Sequence, residues 1–246
     1  MGLFDKLFGQ SDKSTSTDEP QPQPQPNLAP CKTEQELIER YGGIVLDKQL
    51  DFGEYIGTTG WNFNLAKGEI SFGPNMVFPM QILGTISHSS QTWLWAWANV
   101  KAGHSESVTE QARSLKKYGE DNGIDLLRID TFDFTKEELH LMGLVAAGIF
   151  NSTAYYIADY GQGAMVMTIK SDKVDKLRKE NHDRISQVFL QLISQFDMNH
   201  KLTFTHYLTA KGYTILEEGN NVTGTRNSKS ITGQFDDFSR LTSLTA

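Results

Sequence analysis

At 246 residues and a formal net charge of −7, the chain has room for one large domain or two modest ones, and it is too acidic for a surface that tracks nucleic-acid phosphates with clustered Lys and Arg. Its one cysteine, Cys31, excludes an intrachain disulfide and a cysteine-based zinc site, and fits a reducing cytoplasm. No stretch approaches the roughly eighteen apolar residues needed to cross a bilayer.

In chain order, residues 1–9 read MGLFDKLFG, with no apolar region or cleavage site of a secretory signal. Leu3, Phe4, Leu7 and Phe8 share one side of a two-turn helix too short to hold by itself, so it needs a surface. Peripheral contact with an inner membrane and docking on the protein's own domain are the two readings. Residues 10–32, with alternating Pro and Gln, are predicted to be a disordered, semi-extended linker. Residues 33–246 are read as a single α+β domain, with 172–246 as a separate C-terminal subdomain in the alternative division.

Thr33 and Glu36 have capping-box spacing and open a helix whose stripe is Leu37, Tyr41, Val45, Phe52 and Ile56, with a break expected at Gly42-Gly43. Trp61–Leu65, Ile70–Phe72 and Val77–Ile86 follow as short strands. They lead into Gln91–Asn99, QTWLWAWAN, around which the fold is predicted to be built. A strand's period of two puts Trp93, Trp95 and Trp97 on one face and Leu94, Ala96 and Ala98 on the other. Such a strand belongs in the centre of a sheet, with a helix close against its alanine side.

A surface helix from Ser107 to Gly119 and a strand over Ile124–Phe134 come next. Thr135 and Glu138 then cap a helix, Leu139–Phe150, that is apolar almost all round and therefore internal. Thr153–Tyr160 and Ala164–Lys170 are strands around a Gly161-Gln162-Gly163 turn. Residues 181–196 show the clearest helical rhythm, a shorter helix ends at Gly212, and strands over 213–217, 221–225 and 230–235 close the chain. Strands in direct succession make the predicted class α+β: a mostly antiparallel sheet with helices packed on its faces and a central Trp-rich strand.

No Gly-x-Ser-x-Gly elbow, P-loop or Gly-x-Gly-x-x-Gly fingerprint is present. Glu137 and His140 have metal-ligand spacing, but only once, so no metal and no cofactor are predicted. The acid–base candidates are His140, Glu137, Asp130 and His88. Trp93, Trp95 and Trp97 with Tyr155 and Tyr156 are candidates for an aromatic binding groove, although indoles on a central strand ordinarily form core.

Leu83-Gly84-Thr85, TWLWAWAN at 92–99, Tyr118-Gly119-Glu120 with Gly123-Ile124, and the helix leading into Ala154-Tyr155-Tyr156 resemble an uncharacterised bacterial family, a domain of unknown function, over residues 35–170. The resemblance implies a bacterial origin and a domain boundary and transfers no catalytic residue. From acidity and the missing local motifs, the favoured expectation is a non-catalytic protein-binding module of the immunity or stress type with an unknown protein partner. The alternatives are a hydrolase or lyase with a spatially assembled His/acid site, and a membrane-associated scaffold anchored by residues 2–9.

Overall fold

The computed structural model describes residues 28–135, 138–178 and 181–246. The amphipathic segment with Leu3, Phe4, Leu7 and Phe8, most of the linker, and Glu137 lie outside the described residues. The end of the linker is not free chain. Cys31 is fully buried, and the Tyr118 hydroxyl accepts its backbone N–H at 2.8 Å, pinning the entry to the first helix.

Helix α1 (Glu34–Ile56) starts at a capping box. The Glu36 N–H donates to Thr33 Oγ1 (3.1 Å), and the Glu36 carboxylate accepts the Lys32 N–H (2.7 Å). It runs unbroken through Gly42-Gly43. A Cβ at Gly43 would lie 2.4 Å from the Tyr207 ring and one at Gly42 2.9 Å from Leu192, so these glycines admit a neighbouring helix rather than stop their own.

Strands β1 (Trp61–Asn64), β2 (Glu69–Phe72), β3 (Met76–Ser87) and β4 (Thr92–Trp95) form an antiparallel meander. Helices α2 (Glu110–Asn122) and α3 (Asp125–Arg128) precede β5 (Thr131–Asp133). Helix α4 (Leu139–Ile149) then leads into the hairpin of β6 (Ala154–Asp159) and β7 (Gly163–Ile169). These seven strands form one sheet in which the long β3 pairs with β2 through its first residues and with both β4 and β7 further on. Pro79, which has no N–H, sits just before the β7 pairing begins at Met80. The sheet curls until the Trp61 and Phe72 rings meet Tyr156 of β6, at centroid distances of 6.4 and 4.9 Å. The outer edge of β6 is closed by an α1 side chain: Gln49 donates to the Tyr155 carbonyl (2.9 Å) and accepts the Tyr155 N–H (3.2 Å), as a neighbouring strand would.

The tryptophan stretch is central, between β3 and β5, but only Thr92–Trp95 is strand. Its partner β5 is three residues long, and beyond Trp95 the Ala98 and Asn99 N–H groups fold back onto the Trp95 carbonyl (3.0 and 3.1 Å). The alternation therefore fails at Ala96. The expected helix on the alanine side is also corrected. Cross-strand register puts Trp93, Ile86, Ala164, Val166, Ile157 and Tyr155 on one face of the sheet. Helix α4 meets that face, with Gly143 so close to the Tyr155 ring that a Cβ would lie 2.2 Å away. The strand predicted over Ile124–Phe134 is instead a helical turn followed by short β5. Gly123, at φ 76, ends α2, and Ile124 and Leu127 are buried at a spacing of three, not two.

After β7, α5 (Asp172–Lys176), α6 (Arg184–Gln195) and α7 (His200–Ala210) precede a second antiparallel sheet of β8 (Thr214–Glu218), β9 (Asn221–Arg226), β10 (Lys229–Phe235) and β11 (Leu241–Thr245), ordered β11-β10-β9-β8. The fold is α+β with antiparallel sheets. Two apolar clusters hold it. Leu37 and Phe52 of α1 belong to the cluster of the first sheet. Ile38, Val45 and Leu46 belong to the second, with Phe189, Leu192, Phe204 and Tyr207 of α6 and α7 and Val222, Ile231 and Phe235 of the second sheet. Helix α1 therefore lies between the two cores.

Candidate functional site

The predicted residues are dispersed. Trp93 and Trp95 are fully buried, and the Trp95 indole N–H donates to the Leu126 carbonyl at 3.1 Å, joining β4 to α3. Trp97 is half-buried, stacked near Trp95 with the Lys116 ammonium 4.3 Å from its ring centroid. Tyr155 is core, while Tyr156 is half-buried against Phe72. These five rings do not line one open groove.

His140 projects from the first turn of α4, with its Nδ1 2.8 Å from the Tyr155 hydroxyl. Burial lowers the imidazole's pKa and raises that of the phenol, so at neutral pH the pair is an uncharged ring beside a protonated phenol. His88 follows β3 and donates from Nδ1 to the Gly161 carbonyl (3.2 Å), with Nε2 3.8 Å from Asp159. Asp130 is exposed ahead of β5, its backbone carbonyl accepting the Trp95 N–H. His140 thus meets Tyr155, His88 meets the β6–β7 turn, and Asp130 stands apart from both. Among the described residues, no three His, Cys, Asp or Glu side chains gather to hold a metal ion.

What the fold does gather is a set of amides and hydroxyls. A cleft of about 350 Å³ opens between β3, the end of β7 and the start of α2, with Pro79, Met80 and Phe150 as its apolar lining. Gln81 donates to the Ser107 carbonyl (2.7 Å) and accepts the Gln111 N–H (3.2 Å), and the Thr168 hydroxyl donates to Gln111 Oε1 (2.5 Å). The network fixes the rotamers of its members before any ligand arrives. Glu110 and Lys170 bring opposite charges, and the Lys170 ammonium is held by Asp175 (2.7 Å) and the Asn151 carbonyl (3.0 Å). Sequence reasoning passed over Gln81, Gln111 and Thr168. The readable signal was a lone glutamine in the apolar run of β3 and a lone threonine in β7, where every residue is buried.

A second polar group lies between α1 and the C-terminal helices. Asp47, Asp51 and Glu54 occupy one face of α1. Arg184 pairs with Asp51, with Glu54 at 3.0 Å and with Asp47 at 3.6 Å, while Lys211 pairs with Asp47. Next to it, the nearly buried Lys48 donates to Asn151 Oδ1 (2.5 Å) and the Ser152 carbonyl (3.0 Å). Burial, reinforced by Arg178, lowers its pKa to about 8 from 10.5. A folded-state value below the unfolded one means that the unfolded chain holds more protons in this window. The Lys48 contribution to stability should therefore rise from pH 8 towards 10, by no more than roughly 1.4 kcal/mol per pH unit for one proton, while buried Cys31, whose pKa is raised, opposes it above about pH 9. Above about pH 10 the buried tyrosines, whose pKa values are raised, reverse the trend. Urea titrations of wild type and Lys48→Met across this range check the assignment: the rise should disappear in the variant, and its persistence would give the effect to another group.

The cleft and its surroundings belong to an α+β chain whose first sheet, with α1 to α4, forms a continuous block from α1 to the end of β7. The chain belongs to DUF6882, a family of unknown function, whose sequence pattern matches residues 35–172. No curated protein and no solved structure matches the chain.

Proposed function

We propose that the chain is a non-catalytic protein-binding module of the immunity or stress type, and that a segment of its partner seats in the cleft between β3, β7 and α2. The observation that carries this reading is the contrast in what is gathered. His88, His140 and Asp130 have separate surroundings, while Gln81, Gln111, Ser114 and Thr168 converge on one cleft large enough to hold side chains of a peptide. Amides and hydroxyls suit the alternating donors and acceptors of a peptide backbone, and Glu110 and Lys170 suit its charged side chains. The net charge of −7 favours encounter with a basic partner. All the lining residues fall within the family region. The same reading includes a cytoplasmic setting, supported by the single cysteine, Cys31; no described helix is long and apolar enough to cross a membrane.

Ser114 is exposed on α2 and lines the cleft, so Ser114→Trp fills the space without disturbing the core. Affinity capture from an extract of the native host, followed by mass spectrometry, should retain a partner on the wild type and lose it on Ser114→Trp, with the two proteins melting within a few degrees of each other. Equal capture by both, or no specific partner on the wild type, ends the proposal.

A further inference from the structure

We infer that Lys48 and Asn151 form an intramolecular isopeptide bond, the lysine amine displacing ammonia from the asparagine side-chain amide and tying α1 covalently to the turn between α4 and β6. The two groups are already in contact. Lys48 Nζ lies 2.5 Å from Asn151 Oδ1 and 3.0 Å from the Ser152 carbonyl oxygen. The amide carbon is one carbonyl bond beyond Oδ1, so the amine is no more than about 3.7 Å from it. A turn of the amide about Cβ–Cγ brings the pair to the ~3–3.5 Å of a near-attack arrangement. The turn itself is fixed: Asn151 takes the left-handed conformation, φ 47, just past α4, and its backbone carbonyl accepts the Lys170 ammonium at 3.0 Å. The Ser152 N–H donates to the Ala147 carbonyl (2.9 Å), which restrains it from the competing attack on the same amide that would close a succinimide.

A lysine attacks only as the neutral amine. Lys48 is 6% exposed, and burial is the first cause of its lowered pKa of about 8. Arg178 and Lys170 also favour the neutral form, and Asp175 opposes them. The same burial shuts out external ligands, so the electrophiles within reach are the chain's own carbonyl groups, and the side-chain amide of Asn151 is the one whose cleavage leaves the backbone intact.

Asp175 completes the group. Lys170 bridges it to the turn, donating to Asp175 Oδ2 at 2.7 Å as well as to the Asn151 carbonyl. Among the described residues, Asp175 Oδ1 is shut off from water with no hydrogen-bond partner. In the reaction the Nζ lone pair forms the bond to the amide carbon, and Asp175 takes the proton that this nitrogen sheds and returns it to the amide nitrogen. The old C–N bond then breaks and ammonia leaves, with no change of oxidation state. The new link joins positions 103 apart and constrains the unfolded chain as a disulfide does, in a compartment of any redox state. Closure consumes the amine, so the Lys48 contribution to stability described above belongs to the open chain and is read before closure proceeds.

The test is the intact mass of the full chain, followed by mass spectrometry during incubation at about pH 6 and about pH 9, on either side of the Lys48 pKa. At the alkaline end the wild type is expected to finish lighter by one ammonia. Its tryptic digest should join the peptide holding Lys48 to the one holding Asn151, with cleavage after Lys48 lost. Lys48→Met and Asn151→Ala should give no joined peptides, and Asp175→Ala should close about a hundredfold more slowly than the wild type. A wild-type mass that stays at the value of its sequence overturns the inference. So does loss of ammonia with the two peptides still separate, which marks a succinimide instead. Closure of Asp175→Ala at the wild-type rate overturns the role given to that carboxylate.

Discussion

Trp93→Ala should destabilise the protein by ~3–5 kcal/mol, seen as a large fall in the urea midpoint with little change in slope. The indole is fully buried at the junction of β3, β4 and the segment entering α4. It meets Trp95 edge-on at 5.3 Å and Phe134 at 6.0 Å, and β3 makes room for it with Gly84, where a Cβ would lie 2.4 Å from the ring. Alanine leaves a cavity that these two rigid rings and the β3 backbone cannot close. Trp93→Phe should cost much less. The indole N–H has no hydrogen-bond partner among the described residues, so phenylalanine removes a buried donor whose desolvation was not repaid. A loss below about 1 kcal/mol for Trp93→Ala would mean that the ring is not enclosed as described.

Asp47→Asn should be about as damaging, at ~3–5 kcal/mol, although it removes no volume. Asp47 is buried between Lys211 and Arg184, whose own side chains are only 8% exposed, and the amide leaves these cations without the carboxylate that offsets them. Arg184 keeps Asp51 and Glu54. Among the described residues, Lys211 keeps a distant approach to the Tyr207 ring, at 5.8 Å. Glu54→Gln is the contrast within the same group. Its side chain is 59% exposed, and its loss should cost under about 1 kcal/mol. Chemical denaturation of the two variants side by side separates the predictions; equal effects would deny that Asp47 is the centre of the network.

Local periodicity carried the reading of the fold wherever one face of an element decides its burial. Helix α6 was legible because Ile185, Val188, Phe189 and Leu192 repeat every three or four residues and all are buried. The same logic failed where the neighbours, not the segment, set the conformation. The tryptophan run alternates well past Trp95, yet its partner strand is too short to hold it extended. Strand β11 has Leu241 and Leu244 three residues apart, a spacing that hides a strand, and it pairs with β10 through an irregular register at Gln234/Phe235. The cleft was less legible still. Gln81, Gln111 and Thr168 are brought together only by the pairing of β3 with β7 and the seating of α2, and no local pattern announces that. The face of Asp47, Asp51 and Glu54 on α1 was visible as helical spacing, but not the cations from distant parts of the chain that it would meet.

The position of α1 between two cores has a consequence for how the protein is made. The ribosome delivers α1 and the first sheet well before α6 and α7, the helices that cover the rest of α1. Until α7 has emerged, Ile38, Val45 and Leu46 present a greasy flank to solvent, so a stalled or truncated nascent chain displays the kind of surface that chaperones capture and that seeds aggregates.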